Sequence, residues 1–141
     1  MTAAPEASSG PRITVAAIAF LRPDGRVLTV RRRGTSAFML PGGKPEADES
    51  AVDTAIREVH EELGVRVEAH ELHLLGTFLS RAANEAGHGL LATVFTTRAS
   101  VAPVPQAEIA EARWVLPARA VSDPAEAPLN REHVFPLLAG R

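Results

Sequence analysis

The stretch from Ser50 to Leu63 contains neither glycine nor proline and is closed by Gly64, while Pro41-Gly42-Gly43 precedes it and acidic residues lead into it. Those are the start and stop signals of a helix. Val52, Ile56, Val59 and Leu63 recur at the helical period, so one face must be buried against something. The rest of the chain says what that is.

Ile13 to Leu21 is an apolar run, and Pro23-Asp24-Gly25 turns it into a second run, Val27 to Val30. This pair is expected to be a hairpin. Phe38-Met39-Leu40 makes a short third strand after Arg31, Arg32 and Arg33. Beyond the helix, Val65 to Leu79 and Leu90 to Thr97 are expected strands around a polar loop, Arg81 to Gly89. Ala112 to Val115 is another, and Asn130 to Leu138 a closing helix despite Pro136. Strands on both sides of a central helix imply an α/β fold in which helices cover a mixed sheet.

A length of 141 residues suits one domain. Residues 1–11 are expected to be a flexible leader, without the basic start and apolar run of a signal peptide, and 12–141 the domain. A net charge of −2 provides no basic excess for a nucleic-acid backbone, so long DNA or RNA is not an expected partner. Small phosphorylated ligands stay allowed. The chain has no cysteine, which rules out disulfides and thiolate chemistry and suits a reducing compartment. No run is long enough to span a membrane, and the cytoplasm is the expected location.

Glu58, Glu61 and Glu62 stand at i, i+3 and i+4 on the helix, which sets three carboxylates near one another and away from the apolar stripe. Arg57 is the one cation nearby in sequence. Like charges at this spacing repel, and a hard divalent cation with its oxygen shell would relieve them. On the helix alone, a solvated acidic face explains the pattern equally well. Gly42-Gly43 adds weight to the metal reading, because it lets backbone groups approach the same ligand.

Gly43, five residues, Glu49, seven residues, then Arg57-Glu58-Val59-His60-Glu61-Glu62-Leu63-Gly64-Val65 resembles the Nudix box, G-x5-E-x7-R-E-U-x-E-E-x-G-U, at every specified position. Leu40-Pro41-Gly42-Gly43-Lys44 ahead of the box and Trp114 on a late strand extend the likeness. Asp48 departs from it, where many members have glycine. The resemblance implies an α/β/α sandwich with a mixed β-sheet and Mg2+-dependent, or Mn2+-dependent, hydrolysis of a nucleoside diphosphate linked to another moiety. It implies Glu58, Glu61 and Glu62 as metal ligands together with the Gly42 carbonyl. Arg57 would orient the glutamates and Glu49 would support loop and helix. Glu108, six residues before Trp114, is the favoured further metal ligand over Glu111 and Glu85. Glu58 or a loop glutamate would take the proton of the attacking water. Lys44, with Arg31 and Arg33 from the arginine run, would meet phosphate oxygens, at least one arginine of the run staying structural. Phe38, just before the glycine loop, would give the substrate a surface to rest on.

His70 and His73 fall in a predicted strand with opposite orientation, which argues against a shared metal; His60 is expected at the boundary of the apolar face, and His88 in a solvated loop. Phe78, Phe95, Phe135 and Trp114 are expected in the packing. Within the enzyme class a MutT-like nucleoside triphosphatase comes first, ADP-ribose or nucleotide-sugar cleavage second and dinucleoside polyphosphates third. The alternative is a non-catalytic sensor of a nucleotide metabolite. Relatives of this size often pair, so a homodimer is the expected assembly, although no apolar patch is legible.

Overall fold

The computed structural model describes residues 11–140. The expected leader falls almost wholly on residues 1–10 and lies outside them. Among the described residues seven strands form two sheets. In one, β1 (Arg12–Phe20) runs parallel to β6 (Gly89–Thr97), which pairs antiparallel with β5 (His73–Arg81), while the two-residue β4 (Gly42–Gly43) lies antiparallel on the other edge of β1. In the other, β2 (Val27–Arg32) is flanked by β3 (Phe38–Met39) and β7 (Ile109–Val115), both antiparallel.

The hairpin expectation needs correcting. The turn forms, with the Arg22 N–H on the Arg26 carbonyl, but only Leu21 and Val27 bridge before β1 and β2 part into separate sheets. Each strand finds a longer partner elsewhere, β1 along the whole of β6 and β2 along β7. Three further boundaries differ. Val65 to Glu68 is not strand, and a single 3-10 turn, Ala69–Glu71, holds the next residues through reciprocal Glu68 and Glu71 side-chain caps, so β5 begins only at His73. His70 therefore lies in that turn and not on a strand with His73. Leu40 falls outside β3, and β7 starts earlier than Ala112.

Helix α1 (Ala51–Leu63) is capped as its sequence requires: the Ser50 hydroxyl accepts the Asp53 N–H, and Gly64 closes it at φ 68°. It buries Ala55, Val59 and Leu63 against Ile18, Phe20, Leu28 and Val30 in one core, with Val52 and Ile56 half-buried at the margin. A second core lies on the other side of β1 and β6, where Ala17, Ala19, Ala92 and Val94 meet Leu129, Val134, Phe135 and Leu138. These come from the chain after the short helix α2 (Pro117–Ala120), from a wide π turn over Asn130–Val134 and from α3 (Phe135–Ala139). Pro136 has no N–H to give, and the chain ahead of it opens to the wider spacing without losing its helical course. The layers are thus helix, sheet, helix.

Candidate metal and substrate site

A cleft of about 530 Å3 opens where β4, the Glu58 side of α1, the loop after β5 and the chain before α3 meet. Gly42, Gly43, Lys44, Glu58, Arg32 and Glu108 lie on one side; Asn84, Glu85 and Arg81 come from the loop end of β5, and Leu129 and Asn130 from the closing helix. Glycine at position 42 is a packing necessity, because a Cβ there would collide with the Ala16 carbonyl and the Ala17 Cα of β1. At Gly43 the collision would be with the Glu58 carboxylate, whose oxygens lie 2.6 and 2.7 Å from the Cβ position. The glycine pair thus admits β1 on one side and a carboxylate on the other.

The three glutamates of α1 do not share one outward face. Glu61 is half-exposed and touches only the end of Arg57, whereas the Glu62 side chain is 4% exposed and turns beneath the loop, accepting the Gly42 N–H at 3.3 Å. Burial, helped by the negative charge of Glu58, pushes the Glu62 carboxyl up to about 7 against the opposing pull of Arg32 and of the Gly42 N–H. Arg57 meets Glu49 at 2.8 Å, Glu58 at 2.9 Å and Glu61 at 3.3 Å, and also donates to the Lys44 carbonyl. Glu49 in turn accepts the Glu46 N–H and the Thr54 hydroxyl. Hydrogen bonding to Arg57 is the main cause that lowers the Glu49 carboxyl to about 2. This clasp ties loop to helix.

Arg57 is not the only cation at these carboxylates. The register of β2 on β7 slips between Arg31 and Arg32. Such a bulge re-aims a side chain. Arg31 stays on Glu111 at 2.8 Å and on the Thr35 carbonyl, and Arg33 is exposed; neither lines the cleft. Arg32, the member of the run not singled out from sequence, reaches Glu62 at 2.8 Å, Glu108 at 2.6 Å and the Gly42 carbonyl at 3.3 Å. Of the rival outer carboxylates, Glu108 shares Arg32 with Glu62, Glu111 is occupied by Arg31, and Glu85 lines the cleft from the loop after β5.

Phe38 is corrected as a substrate surface: it is buried, absent from the cleft, and covered by the Arg113 guanidinium 3.8 Å from its ring centroid. Lys44 is exposed on the cleft wall. Asn130 was legible only as the start of a helix, yet it is fully buried at the cleft, and its Oδ1 has no hydrogen-bond partner. A polar residue four after Glu126, at the head of a predicted helix, is the faint sequence signal for it.

In kind, the donors fit a hard dication: the Gly42 carbonyl with Glu58, Glu62 and Glu108 gives oxygen atoms only, with excess negative charge. As placed, they are held by Arg32 and Arg57, and among the described residues no three acidic or histidine side chains are grouped to hold an ion. Binding one requires these side chains to leave the guanidinium groups. Among the described residues no helix is long and apolar enough to cross a membrane.

The sequence model of the NUDIX domain matches residues 10–138. A MutT-like protein of Streptomyces ambofaciens is 45% identical over 69 residues, which are 48% of this chain and 44% of the relative; the chain thus matches less than half of the relative's length. Among solved structures, a MutT protein from Methanosarcina mazei superposes with a TM-score of 0.75 at 23% identity, over 92% of this chain and 94% of the other. The Escherichia coli dihydroneopterin triphosphate pyrophosphohydrolase does so with a TM-score of 0.70 at 19% identity, over 94% and 99%. These likenesses establish the α/β/α sandwich.

Proposed function

Because the chain belongs to the Nudix family, we propose that it is a Mg2+-dependent pyrophosphohydrolase of a nucleoside diphosphate linked to another moiety, with nucleoside triphosphates as its first substrate class. The observation that carries this is the convergence of Glu58 and the Gly42 carbonyl, with Glu62 behind them on the Gly42 N–H, at a cleft that Arg32, Lys44 and Asn130 also line. Its volume of about 530 Å3 suits one small molecule. A triphosphate also appears in the name of the structurally similar Escherichia coli enzyme.

Bound Mg2+ would lower the pKa of an attacking water and offset charge on the phosphates. Glu58, held by Arg57 and beside Gly43, or a loop glutamate would accept the water's proton. Lys44 and Arg32 would meet phosphate oxygens, and Asn130 the group at the other end. Glu58, Glu61, Glu62, Glu108 and the Gly42 carbonyl would hold the ion, Mn2+ serving in place of Mg2+, once the carboxylates leave Arg32 and Arg57. A cytoplasmic setting and a homodimer complete this reading; light scattering tests the latter.

The test is release of phosphate, pyrophosphate or nucleoside monophosphate from a nucleotide panel that includes ADP-ribose, with and without Mg2+. Product is expected only with metal. Glu58→Gln is expected to lose at least about two orders of magnitude in turnover while staying folded, as are Glu61→Gln and Glu62→Gln. Full turnover by these folded variants would sink the metal platform. Metal-dependent binding without product would make the chain a sensor, and preferential cleavage of ADP-ribose would change the substrate class alone.

A further inference from the structure

Sulfur is scarce in this chain, which has no cysteine and two methionines, Met1 and Met39. Met39 stands in β3 between Phe38 and Leu40, both buried, while its own side chain is half-buried and lines the cleft. Strand alternation explains that division. A leucine would fill much the same volume, so packing alone does not call for a sulfur at this position.

What the sulfur meets is a donor from a second element of the cleft. The loop after β5 folds back on itself, with the Ala82 N–H on the His88 carbonyl and the His88 N–H on the Glu85 carbonyl. From this loop the exposed Asn84 directs Nδ2 to the Met39 Sδ at 3.8 Å. Ala82, Ala83, Asn84 and Glu85 line the cleft together with Met39. The contact therefore joins two elements that border one opening. A thioether is a weak acceptor, so the joint is loose.

Oxidation would change its strength. The sulfur lone pair attacks one oxygen of a peroxide, an S–O bond forms as the O–O bond breaks, and the departing hydroxide takes up a proton and leaves as water. The thioether loses two electrons and the peroxide gains them. The resulting sulfoxide is polar, and its oxygen accepts hydrogen bonds far better than the sulfur did. The Asn84 N–H is already directed at the atom that would bear that oxygen. Because Met39 lines the cleft and is not fully buried, a small oxidant reaches it.

We propose that Met39 is a site of peroxide oxidation, and that its sulfoxide takes the Asn84 N–H and fastens the loop after β5 to β3, narrowing the cleft. The fastening is a property of these two side chains; its effect on KM rests on the nucleotide reading of the cleft.

The test treats the full chain with hydrogen peroxide beside Met39→Leu, a substitution close in volume. Peptide mass spectrometry is expected to find an added oxygen on Met39. Heteronuclear NMR of the ligand-free protein is expected to show the Asn84 side-chain NH2 resonances shifted by the treatment, and unshifted in Met39→Leu. With Mg2+ and a nucleoside triphosphate, oxidised wild type is expected to have its KM raised about threefold to tenfold, the worth of one hydrogen bond that the substrate must break, with kcat nearly unchanged. Methionine sulfoxide reductase should restore it. Oxidised Asn84→Ala is expected to keep its KM. A Met39 that takes up no oxygen, or whose oxidation leaves the Asn84 amide unmoved, overturns the proposal, as does a KM that rises equally in Met39→Leu or Asn84→Ala. If the amide shift appears while no nucleotide is bound or cut, the nucleotide reading fails and the fastening stands.

Discussion

Two guanidinium groups divide the acidic wall of the cleft. Arg32 has its fork within hydrogen-bond distance of the Gly42 carbonyl, Glu62 and Glu108, the atoms a dication would take. Charges a few ångströms apart in a half-buried site interact by several kcal/mol at an effective dielectric of about 20. Arg32→Ala is therefore expected to tighten Mn2+ binding several-fold in an electron paramagnetic resonance titration, while Arg31→Ala, which frees only Glu111 and the Thr35 carbonyl, leaves it unchanged. Weaker Mn2+ binding by Arg32→Ala would mean that the arginine aligns the donors and does not compete for them. Arg57 acts differently, through Glu49, whose carboxyl is lowered from 4.5 to about 2. A depressed carboxyl stabilises the fold above its ordinary value, and the contribution is lost as pH falls through the depressed one. Melting temperatures of wild type and Glu49→Gln are thus expected to differ most above pH 4.5 and to converge toward pH 2. A constant gap through that window would show that the Glu49 charge does not hold the clasp. Asp48 adopts φ 63°, a conformation glycine favours and aspartate tolerates, which gives a physical reason for the glycine common at this position of the box.

At the scale of the element, α1 was legible because everything that makes it is local: the Ser50 cap, the run without breakers, the Gly64 stop and the apolar period. The β1 and β2 pairing departs from expectation because Pro23-Asp24-Gly25 is a local signal, whereas the partner of β1, β6, is distant in the chain. Arg32 is hidden from the sequence for a related reason, since strand alternation predicts facing but a bulge resets it and leaves no mark in composition. The glycine pair was legible as a close approach, though not which partner each glycine meets. That division makes a prediction. Gly42→Ala drives a Cβ into the backbone of β1 and is expected to abolish folding or cost several kcal/mol in urea denaturation. Gly43→Ala meets only the far end of Glu58, so it is expected to fold within about 1 kcal/mol of wild type and to lose turnover, because the displaced carboxylate is the proposed proton acceptor. Equal loss of stability in both variants would mean that the β4 backbone, and not Glu58, limits position 43.

For the molecule as a whole, the two walls of the cleft hang on different cores. Glu58 and Glu62 flank Val59, which is fully buried between α1 and the sheet, whereas Asn130 is carried by the turn that Val134 anchors on the other side. Both cores share β1 and β6, so the domain is expected to unfold as one unit: Val59→Ala and Val134→Ala should each cost about 1–3 kcal/mol in urea without a change of slope. Their kinetic effects should separate. Loosening α1 moves the carboxylates relative to the reacting phosphate, and a small displacement there is paid in kcat. Loosening the closing helix moves Asn130, proposed to meet the substrate away from the bond that breaks, and such uniform binding shows in KM. At a temperature where both variants are fully folded, Val59→Ala is expected to lower kcat with KM nearly unchanged, and Val134→Ala to raise KM with kcat nearly unchanged. If both variants shift the same constant, the cleft is one mechanical unit and the assignment of chemistry to one core and recognition to the other fails.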